Sequence, residues 1–280
     1  MSSRRETIRH IADALAGLYG RHEAETVART VLSDMEGTAF SHLIAFPDEE
    51  CTLENTEIER ITAELAAGRP LQYVLGHCEF CGLDFEVGEG VLIPRPETEE
   101  LVAAVVERAN GGDSVLDLCT GSGCIAIALA KKLNNSSVTA ADISEKALDY
   151  ARRNAAKNHV LIEFIDADIF QADFTAGGMF DIIVSNPPYV PRSDMDGMHI
   201  NVKGFEPHEA LFVPDDNPLL FYERIADIGR KSLRCGGLLC FEVYELYAER
   251  TAAMLREKGY RQTETINDAN LKPRIVCCRK

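Results

Sequence analysis

Apolar side chains recur every three or four residues through the first part of the chain. Ile8, Ile11, Leu15 and Leu18 share one helical face, as do Ile58, Ile61 and Leu65, so the first 75 residues read as helices packing their apolar stripes into a small core. Leu65-Ala66-Ala67-Gly68-Arg69-Pro70 then supplies a glycine and a proline where a helix should stop. The pattern changes after that. Residues 80–87 and 91–93 are apolar runs on either side of Gly88-Glu89-Gly90, which reads as a β-hairpin and marks residues 76–96 as a linker. From residue 97 two periods alternate: a helix to about 109, a strand at 115–118, a helix over 124–133, a strand at 138–141 and a helix over 145–158. Strand-like segments follow at 162–165, 181–185, 238–243 and 275–278. Strands separated by helices need right-handed crossovers, so residues 97–280 are expected to form an α/β domain with a mostly parallel, doubly wound sheet. Ligands of such sheets sit at the carboxyl ends of the strands, near the point where strand order reverses.

Three of those strand ends carry suggestive chemistry. The first runs into Asp117-Leu118-Cys119-Thr120-Gly121-Ser122-Gly123, whose glycines let backbone approach a ligand that a Cβ would push away. The next ends at Asp142, 21 residues after Gly121, where a carboxylate can accept hydrogen bonds from both hydroxyls of a ribose. The third ends near Asp168 and Ile169, a polar acceptor beside an apolar side chain, as an adenine requires. Together they fit an adenosine. The glycine turn also satisfies the dinucleotide pattern, so an NAD-dependent oxidoreductase stays open; Asp117 leans the other way, because it would serve an ammonium and repel a pyrophosphate.

The fourth strand ends abruptly in Asn186-Pro187-Pro188-Tyr189. Two prolines remove two backbone donors, so the chain must leave the sheet at its ligand-binding edge with Asn186 at the rim. An amide or aromatic amine nitrogen is a poor nucleophile because its lone pair is delocalised. Acceptors that bind its two hydrogens orient it and stabilise positive charge as it attacks a sulfonium methyl. The Asn186 side-chain oxygen and the Pro187 carbonyl suit that task, and Tyr189 can stack on a flat substrate group.

This combination resembles the release factor glutamine methyltransferase (PrmC/HemK) family over nearly the whole chain. The matching segments are Gly68-Arg69-Pro70-Leu71-Gln72-Tyr73, Ile93-Pro94-Arg95-Pro96-Glu97-Thr98-Glu99, residues 117–123, Asn186-Pro187-Pro188-Tyr189 and Glu206-Pro207-His208-Glu209-Ala210-Leu211. Asn-Pro-Pro-Tyr alone is shared with adenine and guanine amino methyltransferases; the Ile-Pro-Arg-Pro-Glu-Thr-Glu run is far more specific. The resemblance implies a seven-stranded, Rossmann-like class I methyltransferase sheet with a small N-terminal helical domain that docks the protein substrate. It implies S-adenosylmethionine as cofactor and, as substrate, the glutamine of the Gly-Gly-Gln loop of class 1 peptide chain release factors. Carried over by residue, Asp117, Cys119, Thr120, Gly121, Ser122 and Gly123 would line the methionine portion, Asp142 the ribose, and Asp168 with Ile169 the adenine. Asn186, which also borders the cofactor, would hold the glutamine amide together with Pro187, Pro188 and Tyr189, and Arg95, Glu97 and Thr98 would shape the entrance. Three places depart from the family's pattern: Cys119 stands where a glycine is often found, Ile169 at a position that can carry an aromatic, and residues 242–247 lack the glycine and glutamine expected after the acid. An adenine-N6 nucleic acid methyltransferase, which uses the same amide clamp, is the alternative.

Charge bears on that alternative. The formal net charge is −16, and the first 85 residues hold 7 basic and 15 acidic side chains. Affinity for nucleic acid comes largely from Lys and Arg on phosphates, so a protein partner is expected and no direct nucleic acid contact. With 46% hydrophobic residues but no run near the roughly 20 apolar residues of a membrane span, the chain is expected to be cytoplasmic, free of membranes and monomeric. Its nine cysteines read as small buried hydrophobes, Cys277-Cys278 as alternating sheet packing. Cys78 and Cys81 lack a second ligand pair, so no metal is expected. His208 reads as structural, and Asp268 with Arg274 as a surface pair closing the last hairpin.

Overall fold

The computed structural model describes residues 2–175 and 178–280. It divides into two compact units, one of residues 1–77 and 199–205, the other of 78–198 and 206–280.

The first unit is helical: α1 Arg4–Tyr19, α2 Arg21–Met35, α3 Phe40–Ala45, α4 Asn55–Ala66 and α5 Leu71–Leu75. Ser3 and Glu6 form a reciprocal capping box that starts α1. Ile8, Ile11, Leu15, Ile58, Ile61 and Leu65, the residues of the helical stripes, share one core with Ala28, Val31, Leu32 and Leu43. Burying such side chains contributes about 1.5–3 kcal/mol each. A distant segment completes this unit: at 199–205, Tyr19 stacks on His199 at 5.5 Å and accepts a hydrogen bond from Asn201 Nδ2.

A hairpin follows, made of β1 His77–Phe80 and β2 Leu83–Glu86, all but His77 in the second unit. Its turn is not Gly88-Glu89-Gly90, as the apolar runs suggested, but Cys81-Gly82, with φ of +53° and +73°. Two consecutive left-handed residues match the twist of a two-residue hairpin, a geometry that glycine adopts freely and cysteine rarely. Phe80 and Phe85 are buried against Leu101, Val105 and Ile125, so the hairpin packs into the core of this unit.

The remaining elements are α6 Pro96–Arg108, β3 Ser114–Leu118, α7 Cys124–Lys132, β4 Ser137–Asp142, α8 Glu145–Lys157, β5 Glu163–Asp166, β6 Phe180–Ser185, β7 Val190–Pro191, α9 Ile200–Phe205 of the first unit, β8 Phe212–Val213, α10 Leu220–Ser232, β9 Leu233–Glu242, α11 Ala248–Glu257, β10 Arg261–Asn267 and β11 Pro273–Arg279. Seven of the strands form one sheet in the order β10-β11-β9-β6-β3-β4-β5. The pairs β3-β4, β4-β5, β3-β6 and β6-β9 are parallel, and β9-β11 and β11-β10 antiparallel. This is the doubly wound α/β sheet expected, and its order reverses between β3 and β6.

Side chains alternate across the sheet with the two-residue period of strands. Leu116, Leu118, Ile183, Leu239, Phe241 and Val276 face Tyr222, Ile225, Ala252 and Leu255 of α10 and α11. Val115, Ile182, Val184, Leu238 and Ile275 face Leu101, Val105, Ile125 and Leu129 of α6 and α7. Cys277 and Cys278 join opposite faces, as alternation requires. Two expectations are corrected here. Cys240 and Cys277 are not merely small hydrophobes: they sit opposite each other on β9 and β11, Cα atoms 4.2 Å apart, and form a disulfide. Asp268 is 3% exposed and accepts from the backbone of Asn270 and Lys272 and from Arg274 Nε, so the pair with Arg274 is a buried anchor of the last hairpin. Among the described residues, no helix is long and apolar enough to cross a membrane and no three metal-ligating side chains cluster.

Candidate active site

A cleft of about 260 Å3 lies over the carboxyl ends of β3, β4 and β6, where the strand order reverses. It is lined by Cys119, Thr120, Gly121 and Ser122 after β3, Asp142 and Ile143 after β4, Asp168, Ile169 and Phe170 after β5, and Asn186 and Pro188 after β6. The segment 90–95, with Thr98, forms a further wall.

The loop after β3 owes its shape to left-handed backbone. Cys119, Gly121 and Gly123 have φ of +61°, +56° and +81°, and a Cβ on Gly123 would come within 3.0 Å of Ala151 Cβ. For cysteine that conformation costs about 1–2 kcal/mol, which explains the glycine often found at position 119 in the family. Asp117 does not line the cleft. It is fully buried beneath the loop, where its Oδ2 accepts from the Thr120 hydroxyl at 2.6 Å. Gly123 likewise supports the loop from behind.

Burial pushes the Asp117 carboxyl up to about 7, against an ordinary 3.8. Between those values the folded chain holds a proton that the unfolded chain has lost, so this group makes stability fall as pH rises from about 4 to 7 and level off above. Asp117→Asn has no such charge. The melting temperature of that variant minus that of wild type should therefore climb with pH through this window, and a flat difference would contradict the assignment.

Asp142 stands at the rim of the cleft. Its Oδ2 accepts from Gly121 N at 2.8 Å and its Oδ1 from Ser144 N at 2.9 Å, with acceptor capacity left over. Burial raises its pKa and those backbone donors lower it. Asp168 is held by Phe170 N and Gln171 Nε2, while Arg224 grips the carbonyls of Ile169 and Ala172 and so fixes the loop after β5. Ile143, Ile169, Phe170 and Phe221 form an apolar slot, with Phe170 edge-on to Phe221 at 5.2 Å. An aromatic ring, Phe170, thus lines the cleft one residue along from Ile169.

The reacting end is tied together by one buried carboxylate. Glu242, at the end of β9 and 1% exposed, accepts from the Thr98 hydroxyl at 2.6 Å and from the Tyr189 hydroxyl at 3.0 Å. Thr98 Oγ1 in turn accepts from Asn186 Nδ2 at 3.2 Å, and no described residue hydrogen-bonds to Asn186 Oδ1. Burial raises the Glu242 pKa, and burial with Glu242 raises that of Tyr189, which keeps its proton. The Tyr189 ring stacks on Tyr244 at 6.1 Å, and Tyr244 donates to Asp194. Arg95, the one basic residue among the described residues of the cleft wall, pairs with buried Glu206, whose other oxygen accepts from Ile93 N at 3.1 Å. The structure therefore brings Cys119, Thr120, Gly121, Ser122, Asp142, Asp168, Ile169, Asn186, Pro188 and Arg95 to one cavity. Pro187, Tyr189 and Glu97 lie outside its wall.

Residues 6–76 match the family model of the PrmC N-terminal domain, and residues 97–201 that of the methyltransferase small domain. A release factor glutamine methyltransferase from Bacteroides thetaiotaomicron is 41% identical over 274 residues, spanning 97% of this chain and 98% of that protein. One from Streptococcus pneumoniae is 42% identical over 240 residues, 82% of this chain and 85% of that protein. The chain belongs to the release factor glutamine methyltransferase family. A solved methyltransferase from Pyrococcus furiosus, 21% identical, covers 71% of this chain and 89% of its own with a TM-score of 0.53, and shares the fold. Membership decides against the oxidoreductase left open by the glycine turn, and the adenine-N6 alternative is not favoured.

The cofactor of this family is S-adenosylmethionine, and the cleft fits it. Asp142 has spare acceptors for a pair of hydroxyls, Ile143, Ile169, Phe170 and Phe221 offer apolar surface to a purine, and the carboxylates Asp142, Asp168 and Glu209 outnumber the basic Arg95 in the described cleft wall, which suits a cationic cofactor. A pyrophosphate would meet Asp142 and Asp168 instead.

Proposed function

We propose that this chain methylates the side-chain nitrogen of the glutamine in the Gly-Gly-Gln loop of peptide chain release factors. The observation that carries the reading is that Asn186 lines the same cavity as Asp142 and Asp168, with no described residue hydrogen-bonded to its amide oxygen. Bound S-adenosylmethionine supplies an electrophilic methyl group on a sulfonium. The Asn186 oxygen and the Pro187 carbonyl accept the two hydrogens of the glutamine amide, hold its nitrogen toward that methyl and disperse positive charge as the bond forms. Tyr189, fixed by Glu242 and Tyr244, presents an aromatic surface to the flat amide. No strong general base is required, because the alkylated amide nitrogen is acidic once charged. The methylated product therefore loses its extra proton to water or to any nearby acceptor.

We assign docking of the release factor to the helical first unit, and place the protein in the cytoplasm as a monomer without nucleic acid contacts. The net charge of −16 supports a protein substrate over a phosphate backbone. Incubation with labelled S-adenosylmethionine tests this. Label should enter intact release factor and not DNA, RNA or a release factor whose Gly-Gly-Gln glutamine is replaced by alanine. Label in nucleic acid would overturn the substrate assignment.

A further inference from the structure

Thr98 has one hydroxyl proton to give, and its oxygen lies between Glu242 Oε2 at 2.6 Å and Asn186 Nδ2 at 3.2 Å. A carboxylate only accepts, and Glu242 already accepts a hydrogen bond from the Tyr189 hydroxyl on Oε1. The other carboxyl oxygen, Oε2, accepts from Thr98 Oγ1 at the shorter of the two contacts that the hydroxyl makes. The Thr98 proton is therefore committed to Glu242, and its lone pair is what remains for Asn186. Only the NH2 end of an asparagine can meet a lone pair. The oxygen end is thereby turned away from Thr98.

That orientation decides whether the amide clamp can work. An asparagine side chain is nearly symmetric in shape, so packing alone does not choose between its two flips. In the wrong flip, NH2 would face the NH2 of the substrate, and two donors would oppose each other. We propose that Thr98 and Glu242 are positioning residues whose hydrogen-bond polarity sets the flip of Asn186, so that an acceptor faces the substrate amide. The inference rests on the reading of Asn186 as that acceptor. Neither Thr98 nor Glu242 needs to touch the reacting atoms. Both sit on elements far apart in sequence, the start of α6 and the end of β9, which the fold brings to one point.

Thr98→Val keeps the shape and removes the hydroxyl; Thr98→Ser keeps the hydroxyl and removes the methyl. Thr98→Val should lower kcat on release factor by roughly 10- to 100-fold, as a misoriented catalytic contact does, with the Kd for S-adenosylmethionine within a few-fold of wild type and a lower melting temperature, because buried Glu242 loses a donor. Thr98→Ser should recover most of the loss. Thr98→Ala takes the place of the valine variant if that one does not fold. In the protein without cofactor, the side-chain NH2 resonances of Asn186, assigned by their absence in Asn186→Ala, should exchange with solvent slowly in wild type and faster in Thr98→Val. Wild-type kcat in Thr98→Val, equal defects in the serine and valine variants, or unchanged NH2 exchange would each overturn the proposal. If wild type transfers no methyl to release factor, the functional reading falls, while the exchange measurement still decides whether Thr98 anchors the amide.

Discussion

Asn186→Ala is expected to reduce methyl transfer to release factor by about 100- to 1000-fold in kcat while leaving cofactor binding within a few-fold of wild type. Removal of one preorganised acceptor at a site of developing charge has effects of this order. The asparagine sits where β6 ends, and the two prolines behind it leave that rim no sheet hydrogen bonds to lose, so the variant should fold. Steady-state kinetics on release factor with calorimetric titration of S-adenosylmethionine separates the two effects. A matching loss of cofactor affinity would place Asn186 mainly in the cofactor wall, and unchanged kcat would remove it from the clamp.

Asp142→Ala should have the second large effect, on the cofactor rather than the chemistry. It deletes the acceptor for Gly121 N and Ser144 N and the lone pairs that face a ribose. Hydrogen bonds to a charged group contribute about 1.5–3 kcal/mol each, so losing two raises the Kd for S-adenosylmethionine by at least about 100-fold. The loop after β3 also loses the carboxylate that holds it in left-handed backbone. Saturating cofactor should restore much of kcat; a Kd like that of wild type would show that Asp142 does not carry the ribose.

What the sequence makes legible follows from where the signals are local. The inner strands β3, β4 and β6 are short apolar runs, and each carries a polar side chain at or beside its end, Asp117, Asp142 and Asn186, that an apolar pattern does not explain. The same rule applied to Leu-Leu-Cys-Phe-Glu would have found Glu242 at the end of β9, the residue that joins Thr98 to Tyr189. It reads instead as a family position because its partners lie 144 and 53 residues away. The edge strand β10 is invisible to an apolar pattern: Arg261, Gln262, Glu264 and Thr265 are exposed, and only one side pairs. The hairpin turn at Cys81-Gly82 escapes because cysteine seldom takes positive φ, while the glycines at 88 and 90 attract attention. The Cys240 and Cys277 pair needs the register of β9 on β11, which no spacing along the chain encodes. Residues 199–205 likewise join the helical unit through Tyr19, a contact across 180 residues of chain. Asp117 shows a subtler limit. Its position at the strand end is readable, but whether it faces the ligand or props the loop from below depends on the turn at Thr120.

The claim on which the account depends is that an amide nitrogen is held by Asn186 for attack on the cofactor methyl. Fragmentation mass spectrometry of release factor, after incubation with the purified chain and S-adenosylmethionine, tests it most directly. One added methyl group is expected, on the side chain of the Gly-Gly-Gln glutamine, present with wild type and nearly absent with Asn186→Ala. A methyl group on any other residue, or equal methylation by wild type and Asn186→Ala, would contradict it.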